Sequence, residues 1–117
     1  MPRPLSDEER RDLRKIYRVV EAFRTVDREM PVQQMATLLI VALNEGLSLK
    51  EISDRLATAS STASRNVAAL SKVHRLGKRG HDLVSSREDP VERRRKMHTL
   101  TAKGRLFILR LLGAEDA

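Results

Sequence analysis

Residues 60–76 read SSTASRNVAALSKVHRL, and the fold turns on how this stretch is read. Ala63, Val67, Leu70 and Val73 recur at spacings of four and three, which makes one apolar stripe and predicts a single helix. Ser60 or Ser61 is placed to cap it, since a hydroxyl accepts a free first-turn amide. Thr62, Ser64, Arg65, Asn66, Ala69 and Lys72 fall largely off the stripe, leaving an outer face that is short, polar and cationic. Such a face can enter a DNA major groove and donate to bases and phosphates without steric bulk. A surface helix with solvated polar residues has the same pattern, so the flanking sequence must decide.

Upstream, Ser48 and Glu51 form a capping box, S-L-K-E, that opens a short helix with Leu49, Ile52, Leu56 and Ala57 inward. Thr58-Ala59-Ser60 is a tight turn between the two helices. Two short helices joined in this way, the second polar and basic outside, make a helix-turn-helix. Downstream, Gly77 ends the presenting helix and KRGHD follows as a basic loop. Asp82–Arg87 is a strand candidate, Asp89-Pro90 a turn, and Arg94–Leu100 the return strand. Thr101 then caps a last helix that runs through Gly113. Leu106, Phe107, Ile108, Leu109, Leu111 and Leu112 leave that helix apolar nearly all round, more than one intramolecular face can bury, so an interface is expected.

Before the helix-turn-helix, Ser6 and Glu9 form a capping box followed by a long helix, about 6–30, with Leu13, Ile16, Val20, Phe23, Val26 and Met30 on its stripe. Tyr17, Val19 and Ala22 widen that stripe enough to serve both a core and a partner chain. Pro31 breaks it and suits the first turn of a second helix, about 32–44, which reads as a buried core helix stopped by Gly46. The dimerisation candidates are Ile16, Val20, Phe23, Leu106, Leu109 and Leu112.

The 117 residues suffice for one domain. Cysteine is absent, so disulfides and thiolate metal sites are excluded. No apolar run can cross a bilayer and the N-terminus has no signal core, so the expectation is a cytoplasmic, nucleoid-associated protein with no membrane partner. The net charge of +7 is segregated: residues 60–104 hold 11 basic and 4 acidic side chains and account for all of it. A segregated basic region points to a polyanion, most commonly nucleic acid.

Helix, helix, helix-turn-helix, two-stranded wing, helix is the order of a winged-helix domain, mainly α with a small β-hairpin. At this level the chain resembles the MarR-type transcriptional regulators from about Leu49 to Arg105. The resemblance is carried by T-A-S-R-N-V at 62–67, L-V at 83–84, E-D-P-V-E-R-R-R-K at 88–96 and L-T-A-K-G at 100–104. It implies a homodimer on palindromic promoter DNA, with recognition helices in successive major grooves and wing arginines in flanking minor grooves. It also implies that Thr62, Ser64, Arg65 and Asn66 face bases and phosphates, that Arg93 and Arg94 sit at the wing tip, and that Asp89 holds an arginine across the wing. Thr101 and Gly104 would cap and pack the last helix. The chain departs from the family pattern in the basic insertion Val73–Asp82, in Glu92 where aspartate is usual, and in stopping soon after Leu112, where long C-terminal dimerisation helices are usual.

The candidate DNA-contacting set is therefore Ser60, Ser61, Thr62, Ser64, Arg65, Asn66, Lys72, Lys78, Arg79, Arg87, Arg93, Arg94 and Arg95. The functional expectation is a sequence-specific double-stranded DNA-binding regulator, a repressor, acting as a homodimer. A replication or partition DNA-binding protein and a winged-helix protein–protein adaptor are the alternatives. An adaptor would present a neutral or acidic helix and wing; here both are basic. An enzyme is not expected. His74, His81 and His98 lack metal-ligand spacing and read as surface residues or phosphate contacts, and no phosphate loop, nucleophile motif or paired acids occur. No cofactor is expected. Few aromatics and the short C-terminus argue against a drug-like effector pocket, although small-molecule sensing stays open.

Overall fold

The computed structural model describes residues 1–72 and 77–113. Five helices and one hairpin follow in the expected order: α1 Asp7–Val26, α2 Val32–Leu43, α3 Leu49–Leu56, α4 Ser60–Leu70, β1 Val84–Glu88, β2 Lys96–Leu100 and α5 Ala102–Leu112. This is a winged helix-turn-helix.

Local chemistry sets most of the boundaries. Both capping boxes form: Ser6 accepts from the Glu9 amide while Glu9 reaches back to the Ser6 amide, and Ser48 and Glu51 do the same for α3. Thr101 caps α5 by accepting from the Gly104 amide at 2.9 Å. Gly104 has a second reason to be glycine, because a Cβ there would lie 2.0 Å from the Leu83 carbonyl oxygen. α1 ends at Val26, short of the expected Met30. Asp27 caps it in an extended conformation and the Met30 amide turns back onto the Asp27 carbonyl, which still buries Met30. The helix-turn-helix turn is made by Ala57 at φ +53, so Ala57 is exposed rather than inward as expected.

α4 differs from its expected form at both ends. Its N-cap is Ala59, with no side-chain cap, not Ser60 or Ser61. It stops at Leu70 instead of continuing to Leu76, because the chain returns and supplies other donors to its last carbonyls. The Leu83 amide donates to Leu70, His81 to Ala69 and Gly80 to Lys72, while the Ser71 hydroxyl bonds the Val67 carbonyl. The expected stripe residue Val73 and the expected helix end Leu76 lie outside the described residues, as does His74.

One core joins all the helices. Leu38 and Val41 of α2, Ile52 of α3, Ala63, Val67 and Leu70 of α4, Leu83 and Val84 at the first strand, and Phe107 and Leu111 of α5 are all buried. α2 is not the fully buried helix its sequence suggests. One face packs on α3 and α4, while Val32, Leu39 and Leu43 are exposed on the other. The hairpin pairs Val84 with Leu100 through Glu88 with Lys96, antiparallel, in strands slightly shorter than expected. Leu47 adds an isolated bridge to His98, pinning β2 to the loop before α3.

Candidate nucleic-acid interface

α4 presents Ser60, Ser61 and Arg65 to solvent, with Thr62 and Ser64 half-buried beside them. Its first turn has neither a side-chain cap nor an acidic residue. The free amides and the positive end of the helix dipole are therefore open to an anion. Asn66 and Ala69 do not lie on this outer face as expected. Asn66 is only 6% exposed, and its Nδ2 has no partner among the described residues. It sits one residue from the buried Val67 and three residues from the buried Ala63. The polar side chain hid this from a pattern read by residue type.

The wing is set against this helix by one arginine. Arg95 donates to Asp89 at 2.8 Å on its own hairpin and to Glu51 of α3. Asp89 also accepts from the amides of Val91 and Glu92, which folds the tip of the hairpin. The Val91 amide and then Arg95 hold the Asp89 carboxyl below its usual range. Glu51 is held down to about 2, first by the Ser48 amide and hydroxyl and then by Arg95. Arg95 is consequently half-buried and committed to two carboxylates. Arg95 is thus not the free cation that was expected: it links the wing to α3. The arginine that Asp89 was expected to hold is this one.

Arg93 and Arg94 lie in the turn of the hairpin and are exposed, and Arg87 is exposed on β1 opposite Met97. Between α3, α4 and the wing runs an open groove of about 770 Å³, to which Ser64, Arg94 and Lys96 contribute, together with Lys50. Lys50 was missed by the sequence reading. Its only signal was its place in the first turn of the first helix of a helix-turn-helix, the helix that crosses the DNA backbone in that motif. Lys72, Lys78 and Arg79 are exposed where the chain leaves α4 and returns past its end, so the basic insertion is tied to the C-terminus of α4.

His98 is corrected as well: it is buried on β2, its Nδ1 bonded to the Leu47 carbonyl at 2.9 Å, and burial pushes its pKa down. His81 lies 3.8 Å from Asp27, tying the insertion to the end of α1. Among the expected dimerisation residues, Ile16, Val20, Leu106 and Leu112 are exposed and Leu109 is half-buried. Phe23 is corrected to the core. It is 2% exposed and meets Phe107 edge-on at 5.2 Å between ring centroids.

Solved structures similar to this one are regulators of the MarR type. The MepR–DNA complex of S. aureus superposes with a TM-score of 0.69 at 19% identity, covering 95% of this chain and 84% of that one. The PcaV transcriptional regulator of Streptomyces coelicolor, solved with its natural ligand, gives 0.59 at 25% identity, covering 89% and 67%. A MarR transcriptional regulator from Methanosarcina mazei Go1 gives 0.64 at 19% identity, covering 87% of this chain and 66% of that one. No family profile matches the chain, and no curated protein matches it by sequence. The protein has the winged-helix fold of MarR-type transcriptional regulators. No described helix is long and apolar enough to cross a membrane.

Proposed function

We propose that the protein is a DNA-binding transcription regulator that reads a palindromic site in double-stranded DNA as a homodimer and represses by occupying it. The observation that carries this reading is the pairing, on one winged-helix frame, of an uncapped α4 bearing exposed Arg65 with a wing whose turn bears exposed Arg93 and Arg94. Positive charge at both elements matches the phosphate backbone, and the short side chains of Ser60, Ser61, Thr62 and Ser64 allow the helix to approach base edges. Arg65 is the base-reading candidate, and Ser60, Ser61, Thr62, Ser64, Lys72, Lys78, Arg79 and Arg87 are candidate phosphate contacts. Asn66 supports this face from behind. The S. aureus relative solved on DNA and a similar protein described as the transcriptional repressor CouR, bound to a 23-mer duplex, give the reading its precedent.

The homodimer rests on the exposed apolar face of α1 (Leu13, Ile16, Tyr17 and Val20) together with Leu106 and Leu112 of α5. A two-fold assembly would present two α4 helices to half-sites about one DNA turn apart. Repression then needs no further part, since a dimer seated on a promoter excludes other proteins from it. Such a protein works in the cytoplasm, on the nucleoid.

Selection of bound duplexes from a random pool, with mass measured by light scattering, tests the whole reading. Inverted repeats and a dimer mass are expected. A pool that stays random, or a monomer that binds with full affinity, overturns it.

A further inference from the structure

α1 has a cationic face that neither α4 nor the wing accounts for. Arg10, Arg11 and Arg14 are exposed, and from Asp7 through Arg18 no residue of the helix is buried. At 3.6 residues per turn these three arginines fall within an arc of about 100°, which also takes in Asp7 of the first turn. The apolar residues Leu13, Ile16, Tyr17 and Val20 occupy an arc of similar width about a third of a turn away. Lys15, 3.8 Å from Asp12, borders this face, and Arg18 closes its inner end with its guanidinium beside Gly113, at the C-terminus of α5.

Some arginines of the chain are held by carboxylates. Arg3 bonds Glu9, Arg24 bonds Glu21 at 2.8 Å and Arg105 bonds Glu45 at 3.0 Å. Arg10, Arg11 and Arg14 have no ion pair among the described residues, although α1 also carries Asp7, Glu8 and Asp12. Arg14 lies one turn beyond Arg10 and Arg11, so like charges face each other at i,i+4 and i,i+3 and repel. Guanidinium groups spread over about 6 Å of helix rise can each take a phosphate oxygen pair, which a single carboxylate does not offer.

We infer that this face of α1 is a second, sequence-independent contact surface for DNA phosphates, separate from α4 and the wing. It rests on the DNA-binding reading above and adds a partner surface to it. An apolar subunit contact leaves Arg11 and Arg14 clear, because the apolar arc is centred about a third of a turn away and borders only Arg10, through Tyr17. The basic α4 and wing of the same chain favour nucleic acid over a membrane surface.

The experiment compares wild type with an Arg10→Gln, Arg11→Gln, Arg14→Gln triple variant and the matching triple lysine variant. Binding to a short random-sequence duplex and to the selected site is followed against salt. The glutamine variant should lower the slope of log affinity against log salt by up to about 3 per chain, at about 0.9 per phosphate contact. It should keep the preference for the selected site, and the lysine variant should bind like wild type. An unchanged slope in the glutamine variant overturns the inference, as does equal loss in both variants. A changed mass in light scattering overturns it too, by placing the arginines in the subunit contact. Binding to phosphatidylserine vesicles but not to duplex does the same. Failure to select any site, with slope loss in the glutamine variant intact, overturns the regulator reading and leaves this one standing.

Discussion

The Arg95 guanidinium donates to the Glu51 carboxylate, joining the wing to α3 across 44 residues of sequence. Glu51 at the same time accepts from the Ser48 amide as half of the α3 capping box. One carboxylate thus fixes both the start of the helix-turn-helix and the distance of the wing from it.

Removing that link should cost function more than stability. In Arg95→Ala, Glu51 is already 42% exposed and hydrates, while Asp89, 15% exposed, keeps the Val91 and Glu92 amides, so the loss of stability should be modest. The wing, released from α3, should lose its fixed reach, weakening DNA binding and its preference for flanking sequence. Glu51→Gln should keep the α3 cap, since glutamine serves at that position, but weaken the hold on Arg95. Thermal melts and binding to the selected site test both, and an Arg95→Ala variant with wild-type affinity and flank preference would falsify the positioning role.

Two acid transitions should separate by pH. His98 has a folded pKa pushed down by burial, so the folded state holds the neutral ring and the unfolded state takes up the proton first. Its contribution is fully present above the unfolded value near 6.5 and is lost as pH falls below it. Glu51 and Asp89 have depressed carboxylate values, Glu51 to about 2. Their contribution is present above the usual carboxylate range and lost as pH falls through it. Urea midpoints should therefore drop in a first step below about pH 6.5 and in a second below about pH 5. His98→Gln should remove the first step alone. Persistence of that step in His98→Gln assigns it to another group.

Much of the frame was legible because it is written in local rules. The S-D-E-E and S-L-K-E boxes, the Thr101 cap and the Asp89-Pro90 turn each act over three or four residues, and each formed where expected. The misreadings came from long-range contacts. Asn66 is polar by type yet only 6% exposed in the folded chain, and Phe23 is claimed by Phe107 rather than left for a partner. α4 stops at Leu70 because residues 80–83 return to bond its end, a contact with no signal in the helical periodicity. Glu51 and Arg95 carry no spacing that could pair them.

Arg65 and Asn66 should now behave differently, although they are adjacent. Arg65→Ala should cost about 1–3 kcal/mol of affinity and relax the preference at one base position. If affinity instead falls evenly across sequences, the contact is to phosphate. Asn66→Leu removes a buried donor without a partner, and such replacements are near neutral or stabilising. A rise in melting temperature with site preference kept is expected. A loss of site preference in Asn66→Leu as large as in Arg65→Ala returns Asn66 to the DNA-reading face.

The wing turn tests separately from α4. Arg93 and Arg94 are exposed and free of Asp89, so Arg93→Ala and Arg94→Ala should leave melting temperature nearly unchanged. Each should lower the salt slope by about 0.9 per subunit for every phosphate it no longer neutralises. An arginine inserted in a narrow A·T-rich minor groove also gives up flank preference when removed. If neither variant changes affinity, slope or flanks, the wing does not read DNA.

The apolar face of α1 separates assembly from folding, because its residues differ in what they already touch. Ile16 is 62% exposed within one chain, whereas Phe23 is 2% exposed against Phe107. Ile16→Arg therefore costs little inside the chain but places a charge in the proposed subunit contact, where an unpaired buried charge is strongly unfavourable. Helical content and the melting of the isolated chain should survive while the dimer mass is lost, and affinity for a palindromic site should fall far more than affinity for a half-site. Phe23→Ala should instead cost about 3–5 kcal/mol of core packing and lower the melting temperature whatever the assembly state. Leu112→Arg, at 72% exposure, should follow Ile16→Arg rather than Phe23→Ala. Circular dichroism and light scattering on the three variants decide the matter: if Ile16→Arg and Leu112→Arg both remain dimers of wild-type mass, the subunits meet on some other face, and the exposed stripe of α2 (Val32, Leu39 and Leu43) is the next to test.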